Sequence, residues 1–254
     1  MGSGQTASSS GFSGRRFLVT GGAQGIGAEI VARLSAGGAD GVIVDLAAAA
    51  DDAPWPSRQL DVTDEPAVVE AMRSTQAEHG PFDGVIAAAG IVPPWHRPAD
   101  VDLDMFDQTM AVNVRGFVVT VKSVAESMPH GSSIVAIGSL NSWRGDPNLL
   151  AYAASKHAVL GAVRSMAMSL GPRGIRVNAV APGPVATDAL RGRMSDRAGR
   201  GGPALGEALE AAARQTALRR LATPGDVADT ALFLSSAQAA AITGQLIPVD
   251  GGLL

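Results

Sequence analysis

Near its start the chain runs, within about thirty residues, from a short apolar segment through a glycine-rich turn and a helical pattern to a second apolar segment ending in an acid. Phe17-Leu-Val-Thr20 suits a buried strand. Gly21-Gly-Ala-Gln-Gly25-Ile-Gly27 follows at once. Ile26, Ile30, Val31 and Leu34 then recur on one helical face, and Gly37-Gly38 supplies a stop. Gly41-Val-Ile-Val-Asp45 is the next strand. This βαβ order commits the chain to an α/β fold with parallel strands. It also has a chemistry. Glycines let backbone approach a pyrophosphate, and a helix N-terminus offers free N–H groups and positive dipole. Gly21, Gln24, Gly25, Ile26 and Gly27 are therefore candidate dinucleotide contacts. Asp45, 18 positions after Gly27, is placed to accept hydrogen bonds from the adenosine ribose. A carboxylate there repels a 2′-phosphate, and neither Gln24 nor Leu46 offers a cation to hold one. The reading favours NAD(H) over NADP(H).

Composition narrows the class. The chain has 254 residues, 46% of them hydrophobic and 17% charged, enough for a sizeable core. A net charge of −4 leaves no basic footprint for nucleic acid. The absence of cysteine excludes disulfides and thiolate metal sites, and no metal centre is expected. No apolar run reaches the ~18 residues of a membrane helix. Residues 1–14, rich in Gly and Ser, lack the features of a secretory signal and read as a flexible tail. The expectation is a cytoplasmic protein whose single domain spans 15–254.

Further strands are expected at Arg58–Thr63, Phe82–Gly90, Ser133–Ile137, Gly174–Ala181 and Gln245–Asp250, with Pro248 marking the last as an edge. Thr63 or Asp64 caps a helix reaching His79. Asp61 and Val62 would lie near an adenine. Ala88, Ala89 and Gly90 are small enough to let a cofactor come close. A continuous helix is expected from Asp102 to Met128, with Asn113 needing a polar partner in its middle. Thr223-Pro-Gly-Asp226 is a helix start with a reciprocal cap. Residues 188–213, carrying Arg191, Arg193, Arg197 and Arg200, suggest a mobile lid. The arginines could serve an acidic substrate, but a solvated face is the stronger reading. Trp95, His96, Asn141 and Trp143 are candidates for the substrate wall. For Trp95, His96 and Trp143, packing under a loop is the alternative.

Leu150–Leu170 reads as one helix carrying Tyr152 and Lys156 four residues apart, on one face. An ammonium ~4 Å from a phenolate, at an effective dielectric near 20, favours the anion by about 4 kcal/mol. That spacing therefore predicts a tyrosine titrating near pH 7 to 8, suited to general acid/base work. Ser139, closing the fifth strand, lies on the carboxyl rim of the sheet, where ligands of open α/β sheets bind.

Together, Thr20-Gly-x-x-x-Gly25-x-Gly27, Asp61-Val62, Ala89-Gly90, Asn113, Ser139, Tyr152-x-x-x-Lys156, Pro182-Gly183 and Asp250-Gly-Gly252 resemble the short-chain dehydrogenases/reductases, over Arg15 to Leu254. The resemblance implies a doubly wound Rossmann sheet of seven parallel strands in the order 3-2-1-4-5-6-7, with helices on both faces. It implies Tyr152 as proton donor and acceptor, and Lys156 on the nicotinamide ribose. It implies Ser139 on the substrate oxygen and Asn113 anchoring a water beside Lys156. Pro182, Gly183, Val185 and Thr187 would approach the carboxamide. A homotetramer is implied as well; the small residues Ala154, Ala158, Gly161 and Ala162 would allow close helix contact. Ala87-Ala-Ala-Gly90 departs from the family's Asn-Asn-Ala-Gly, removing amides but no catalytic group. The expected function is NAD(H)-dependent interconversion of a secondary alcohol and a ketone. Alternatives are an NADPH-dependent 3-oxoacyl-thioester reductase and a non-catalytic NAD(H)-binding member.

Overall fold

In the computed structural model, Phe17 and Val19 point to one face of the first strand and Leu18 to the other, and all three are buried. The structure describes residues 11–199 and 201–253, apart from the side chains of Asp196 and Arg197. Strands apolar on both faces need cover on both sides, which a parallel sheet obtains from its crossover helices. The strands are β1 (Arg16–Thr20), β2 (Asp40–Asp45), β3 (Ser57–Gln59), β4 (Gly84–Ala87), β5 (Ser133–Ile137), β6 (Arg176–Pro182) and β7 (Leu246–Val249). They form one seven-stranded sheet in the order β3-β2-β1-β4-β5-β6-β7, parallel throughout. Pro248 sits on the outermost strand, where its missing N–H costs least.

Two cores flank the sheet. On one face α1 (Gly25–Ala36) and α8 (Pro224–Ser235) bring Ile30, Val31, Leu34, Val227, Ala231 and Leu234 against Phe17, Val19 and Ile86. On the other, α2 (Glu65–His79), α4 (Gly116–Lys122) and α5 (Leu150–Leu170) cover Leu18, Val85, Ile134 and Val177 with Met72, Phe117, Val159 and Val163. The helix starts follow local chemistry. The Asp64 side chain accepts from the Ala67 N–H, and Thr223 and Asp226 cap each other reciprocally.

Two expectations fail. Of the tail over residues 1–14, the first ten lie outside the described residues. Phe12, however, is buried edge-on against Phe17, with its N–H donating to Gly37 O, so the packed domain begins before Arg15. The continuous helix over 102–128 is broken into α3 (Leu103–Met110), a π-helical turn (Ala111–Arg115) and α4, in which Gly116 N–H reaches back five residues to Ala111 O. The segment 188–213, read as a lid from the sequence, is built of α6 (Asp188–Gly199) and α7 (Leu205–Arg214).

Candidate active site

Gly21 N–H donates to Val44 O and Ala88 N–H to Thr20 O, so the glycine turn leaves β1 where the sheet's connectivity reverses, between β1 and β4. Such switch points form crevices at the carboxyl edge. A Cβ on Gly27 would lie 1.9 Å from Gly21 O, so α1 can begin there only on a glycine. Gly25 has φ +58° and open space where a side chain would stand. No side chain caps α1 and no acid occupies its first turn, so its first N–H groups remain available to an anion. Those features fit a dinucleotide pyrophosphate. Asp45 ties the crevice together: its Oδ2 accepts from Ala23 N–H at 2.9 Å and its Oδ1 from Ala47 N–H at 3.0 Å. Each oxygen keeps a lone pair for a ribose hydroxyl.

Other candidate cofactor residues differ in what they can present. Gln24 and Leu46 are exposed beside the turn, and Ile26, Ala88 and Ala89 are half-buried. Asp61 is exposed and bonds Thr63 through both N–H and Oγ1, at 2.8 Å each. Val62 is a core residue packed against Gly116, so a ligand would meet it through its backbone. Pro182 and Val185 are buried too, and Gly183 N–H is spent on Val249 O. Thr187 Oγ1 accepts from Leu190 N–H at the start of α6.

Asn113 explains the break in its helix. Its Oδ1 accepts from Ile91 N–H at 2.8 Å, while its Nδ2 donates to Ile91 O and to Ser155 Oγ, each at 3.0 Å. The side chain is thus consumed in pinning the strand end after Gly90 to α5.

Ser139 stands at the head of a 3₁₀ turn, Leu140–Ser142. Its Oγ accepts from Asn141 N–H, Ser142 Oγ accepts from Ser139 N–H, both at 3.2 Å, and Asn141 Oδ1 lies 3.5 Å from Ser139 Oγ. Ser142 and Ser155 were not singled out from the sequence. The Ser-x-x-Ser spacing is a legible cap signal, whereas Ser155 needs the fold. The Ser139 hydroxyl lies close enough to the Tyr152 phenol to favour its ionised form, and Arg193 of α6 is near enough to act on the same phenol by charge. Lys156 is buried, donates to Ile137 O at 2.8 Å and lies over the Tyr152 ring, 5.6 Å from its centroid. Ser139, Tyr152, Lys156 and Asn113 are therefore gathered on one rim.

The electrostatics correct the simple pair. Burial pushes the Tyr152 phenol above its ordinary value, opposed by the Ser139 hydroxyl and the Arg193 charge. Burial also lowers Lys156 to about 8. Spacing on a helix brings two Cα atoms together; it does not aim the ammonium at the phenol oxygen, and here the ammonium is turned to a carbonyl and the ring face. Nor are all the lid arginines solvated. Arg191 is exposed, but Arg193 is half-buried; the Arg197 side chain and Arg200 lie outside the described residues. Among the substrate-wall candidates, Asn141 is buried while Trp95 and Trp143 are exposed. His96 lines a mostly apolar crevice with Pro93, Met105, Phe106, Leu149 and Ala151, which none of Ser139, Tyr152 and Lys156 lines. Among the described residues, no cluster of His, Asp or Glu could hold a metal ion, and no helix is long and apolar enough to cross a membrane.

Comparison with known proteins places this geometry. The family model described as enoyl-(acyl carrier protein) reductase matches residues 21–254. Short-chain dehydrogenase reductase 5 of Arabidopsis thaliana is 39% identical, over 94% of each chain. The chain belongs to the short-chain dehydrogenase/reductase family. Another relative, cis-4-hydroxycyclohexanecarboxylate dehydrogenase of Sinomonas cyclohexanicum, is 34% identical over 95% of this chain and 97% of its own. Carveol dehydrogenase from Mycobacterium avium, solved in complex with NAD, superposes with a TM-score of 0.89 at 25% identity, covering 96% of this chain and 98% of that one. Members of this family are oxidoreductases that use NAD(P)(H) and act on small molecules.

Proposed function

We propose that the protein is an NAD(H)-dependent oxidoreductase that interconverts a secondary alcohol and a ketone on a small to medium organic substrate. The observation that carries this reading is the meeting of Ser139 and Tyr152 beside Lys156, on the rim that also holds the glycine turn. The bound nicotinamide supplies the hydride acceptor or donor. The chain's own residues handle the oxygen. Ser139 Oγ bonds the substrate oxygen and orients it. Tyr152 takes the hydroxyl proton during oxidation and returns it during reduction. Lys156 would hold the nicotinamide ribose once turned from Ile137 O. The Ser139 hydroxyl and the charge of Arg193 favour the phenolate that burial disfavours. Asn113 keeps Ile91 and α5 in register beneath the reaction. Helices α6 and α7 would close over the substrate as a lid.

Asp45 supports NAD(H): one oxygen is held by Ala23 of the glycine turn and the other by Ala47 after β2, so the carboxylate is fixed at the crevice, where it would repel a 2′-phosphate. The family model's description, enoyl-(acyl carrier protein) reductase, names an acyl-carrier substrate and so keeps one second reading, an NADPH-dependent 3-oxoacyl-thioester reductase, which would act on a ketone rather than on the enoyl double bond. Relative affinity for NADH and NADPH separates the two. We expect NADH to bind at least tenfold more tightly, and a clear NADPH preference would overturn the use made of Asp45. A panel of secondary alcohols and ketones, followed by NADH absorbance, tests turnover. Tyr152→Phe is expected to lose about 10²- to 10⁴-fold in kcat with cofactor affinity kept; unchanged turnover would remove Tyr152 from its role. The small residues of α5, exposed at Ala154 and Gly161 and half-buried at Ala158 and Ala162, support a homotetramer, checked by light scattering in solution.

A further inference from the structure

Two side-chain nitrogens among the described residues are shielded from water and lack any hydrogen-bond partner: Arg193 Nε and Asn141 Nδ2. Both adjoin the Ser139–Tyr152 pair. Asn141 follows Ser139 by two residues, with its Oδ1 toward Ser139 Oγ, and Arg193 is near enough to the Tyr152 phenol to act on it by charge. The third orphaned group, Ser235 Oγ, belongs to the opposite end of the sheet, where Ser133 begins β5. Arg193 is half-buried: its Nε is shielded while its terminal nitrogens stay open to a ligand, and a partly desolvated guanidinium gains from an anionic partner. Arg193 makes no ion pair among the described residues. The other half-buried arginines are provided for: Arg15, Arg173 and Arg176 donate to carbonyls of the chain, Arg16 pairs with Asp40, and Arg33 with Glu29 and Asp229.

We infer that Arg193 seats a carboxylate on the substrate, with the Asn141 amide as a second donor, so that the preferred substrates are hydroxy acids and their oxo counterparts. The inference rests on the oxidoreductase reading for the reaction, but the anion site can be tested apart from it. The dinucleotide's own phosphates do not answer the need. They belong to the glycine turn and the N-terminus of α1, whereas Arg193 is near enough to the Tyr152 phenol to act on it by charge, and the reacting carbon must meet that phenol. A planar guanidinium matches a carboxylate with two parallel hydrogen bonds. One cation and one neutral amide also balance a monoanion better than a phosphate dianion. A substrate anchored there would hold its hydroxyl or carbonyl toward Ser139 and Tyr152. Its charge would also offset that of Arg193, so the arginine's pull on the phenol would be partly spent when substrate binds.

The test uses the full chain saturated with NAD. Cyclohexanecarboxylate, cyclohexanecarboxamide and inorganic phosphate are titrated into wild type, Arg193→Gln and Arg193→Lys by calorimetry. Loss of a charge-assisted pair is expected to weaken carboxylate binding about ten- to hundredfold in Arg193→Gln. Arg193→Lys, which keeps charge without the planar fork, is expected to retain part of it. The neutral amide should bind wild type at least tenfold more weakly than the acid. In parallel, kcat/KM is compared for 4-oxocyclohexanecarboxylate and its methyl ester. The acid-to-ester ratio should exceed ten in wild type and collapse toward one in Arg193→Gln, mainly through KM. Equal binding of acid and amide by wild type, no binding of the acid, or tighter binding of phosphate than carboxylate would each overturn the assignment. So would an undiminished acid preference in Arg193→Gln. If no ketone is reduced while carboxylate binding still depends on Arg193, the anion site stands and the oxidoreductase reading fails.

Discussion

Replacing Lys156 by Met should make the free protein more stable at neutral pH, at the expense of its chemistry. In the fold the ammonium is buried, with one carbonyl and a ring face for company, and its pKa falls from 10.5 to about 8. Below pH 8 both the folded and the unfolded chain carry the proton, so the folded state bears the whole penalty. A shift of about 2.5 units corresponds to about 3 kcal/mol. Between pH 8 and 10.5 the unfolded state binds the proton and the folded state does not, so stability rises with pH; above 10.5 the contribution is constant. Tyr152, the neighbouring titratable group, has its folded pKa raised, so its own effect is loss of stability above pH ~10. The clean window therefore runs from pH 8 to 9.5, where wild type should gain about 2 kcal/mol relative to the Met variant. At pH 7 the variant forfeits the hydrogen bond to Ile137, about 1 kcal/mol, and sheds the larger desolvation cost, for a net gain of about 1–2 kcal/mol. Urea unfolding of both proteins at pH 7, 8, 9 and 9.5 reads this directly. A wild-type minus variant difference that stays flat over that range would refute the claim that the ammonium is held in a desolvated place.

The chain has a single tyrosine, so the ultraviolet titration of tyrosinate reports Tyr152 alone. In the cofactor-free protein its midpoint should lie above 10, and Arg193→Gln should move it higher; a wild-type midpoint near 7 would restore the simple Tyr–Lys pair. Asn113→Ala should cost about 2–4 kcal/mol in urea unfolding, because it strands the Ile91 N–H and C=O as well as Ser155. A loss below about 1 kcal/mol would mean that the π turn holds without its side chain. Asp45→Asn removes the charge while keeping an oxygen for one backbone amide, and should narrow the NADH-over-NADPH affinity ratio several-fold. Asp45→Ala should do the same and also loosen the turn through Ala23 and Ala47; an unchanged ratio in both variants would dismiss the repulsion argument.

The sheet and most helices were legible because their signals are local. Val42 to Val44 and Ile134 to Ala136 are uninterrupted apolar runs, and a strand buried on both faces has no other pattern to show. The bounds of α5 could be read because its apolar positions recur without a break, and the start of α8 because Thr223 and Asp226 cap each other three residues apart. Phe12 was hidden by its Gly and Ser neighbours. Its partners, Phe17 and Gly37, meet it only once the first βαβ unit has closed. The π turn was invisible for a related reason. The partners of Asn113 lie 22 and 42 residues away, and periodicity within one helix cannot announce a bond to another.

The candidate site divides along the same line. Residue types and order placed Ser139, Tyr152 and Lys156 on one rim, since strand ends and helix starts decide which residues reach it. What the pattern could not convey is direction. Tyr152 and Lys156 share a helical face, yet the ammonium turns to Ile137 O. Arg191 and Arg193 are two residues apart on α6, about 200° around the helix, so one meets solvent while the other comes near enough to the phenol to act on it by charge. A cluster of arginines that reads as one solvated surface is therefore split by helical geometry into a surface residue and an inward one. The inward charge comes from an element that follows Tyr152 by some forty positions. Whether the phenol can ionise depends on that arrival as much as on the lysine one turn away. Displacing α6, for example by a proline at Met194 inside the helix, should therefore raise the tyrosinate midpoint even with Lys156 intact. The same midpoint in that variant and in wild type would show that Arg193 does not act on the phenol.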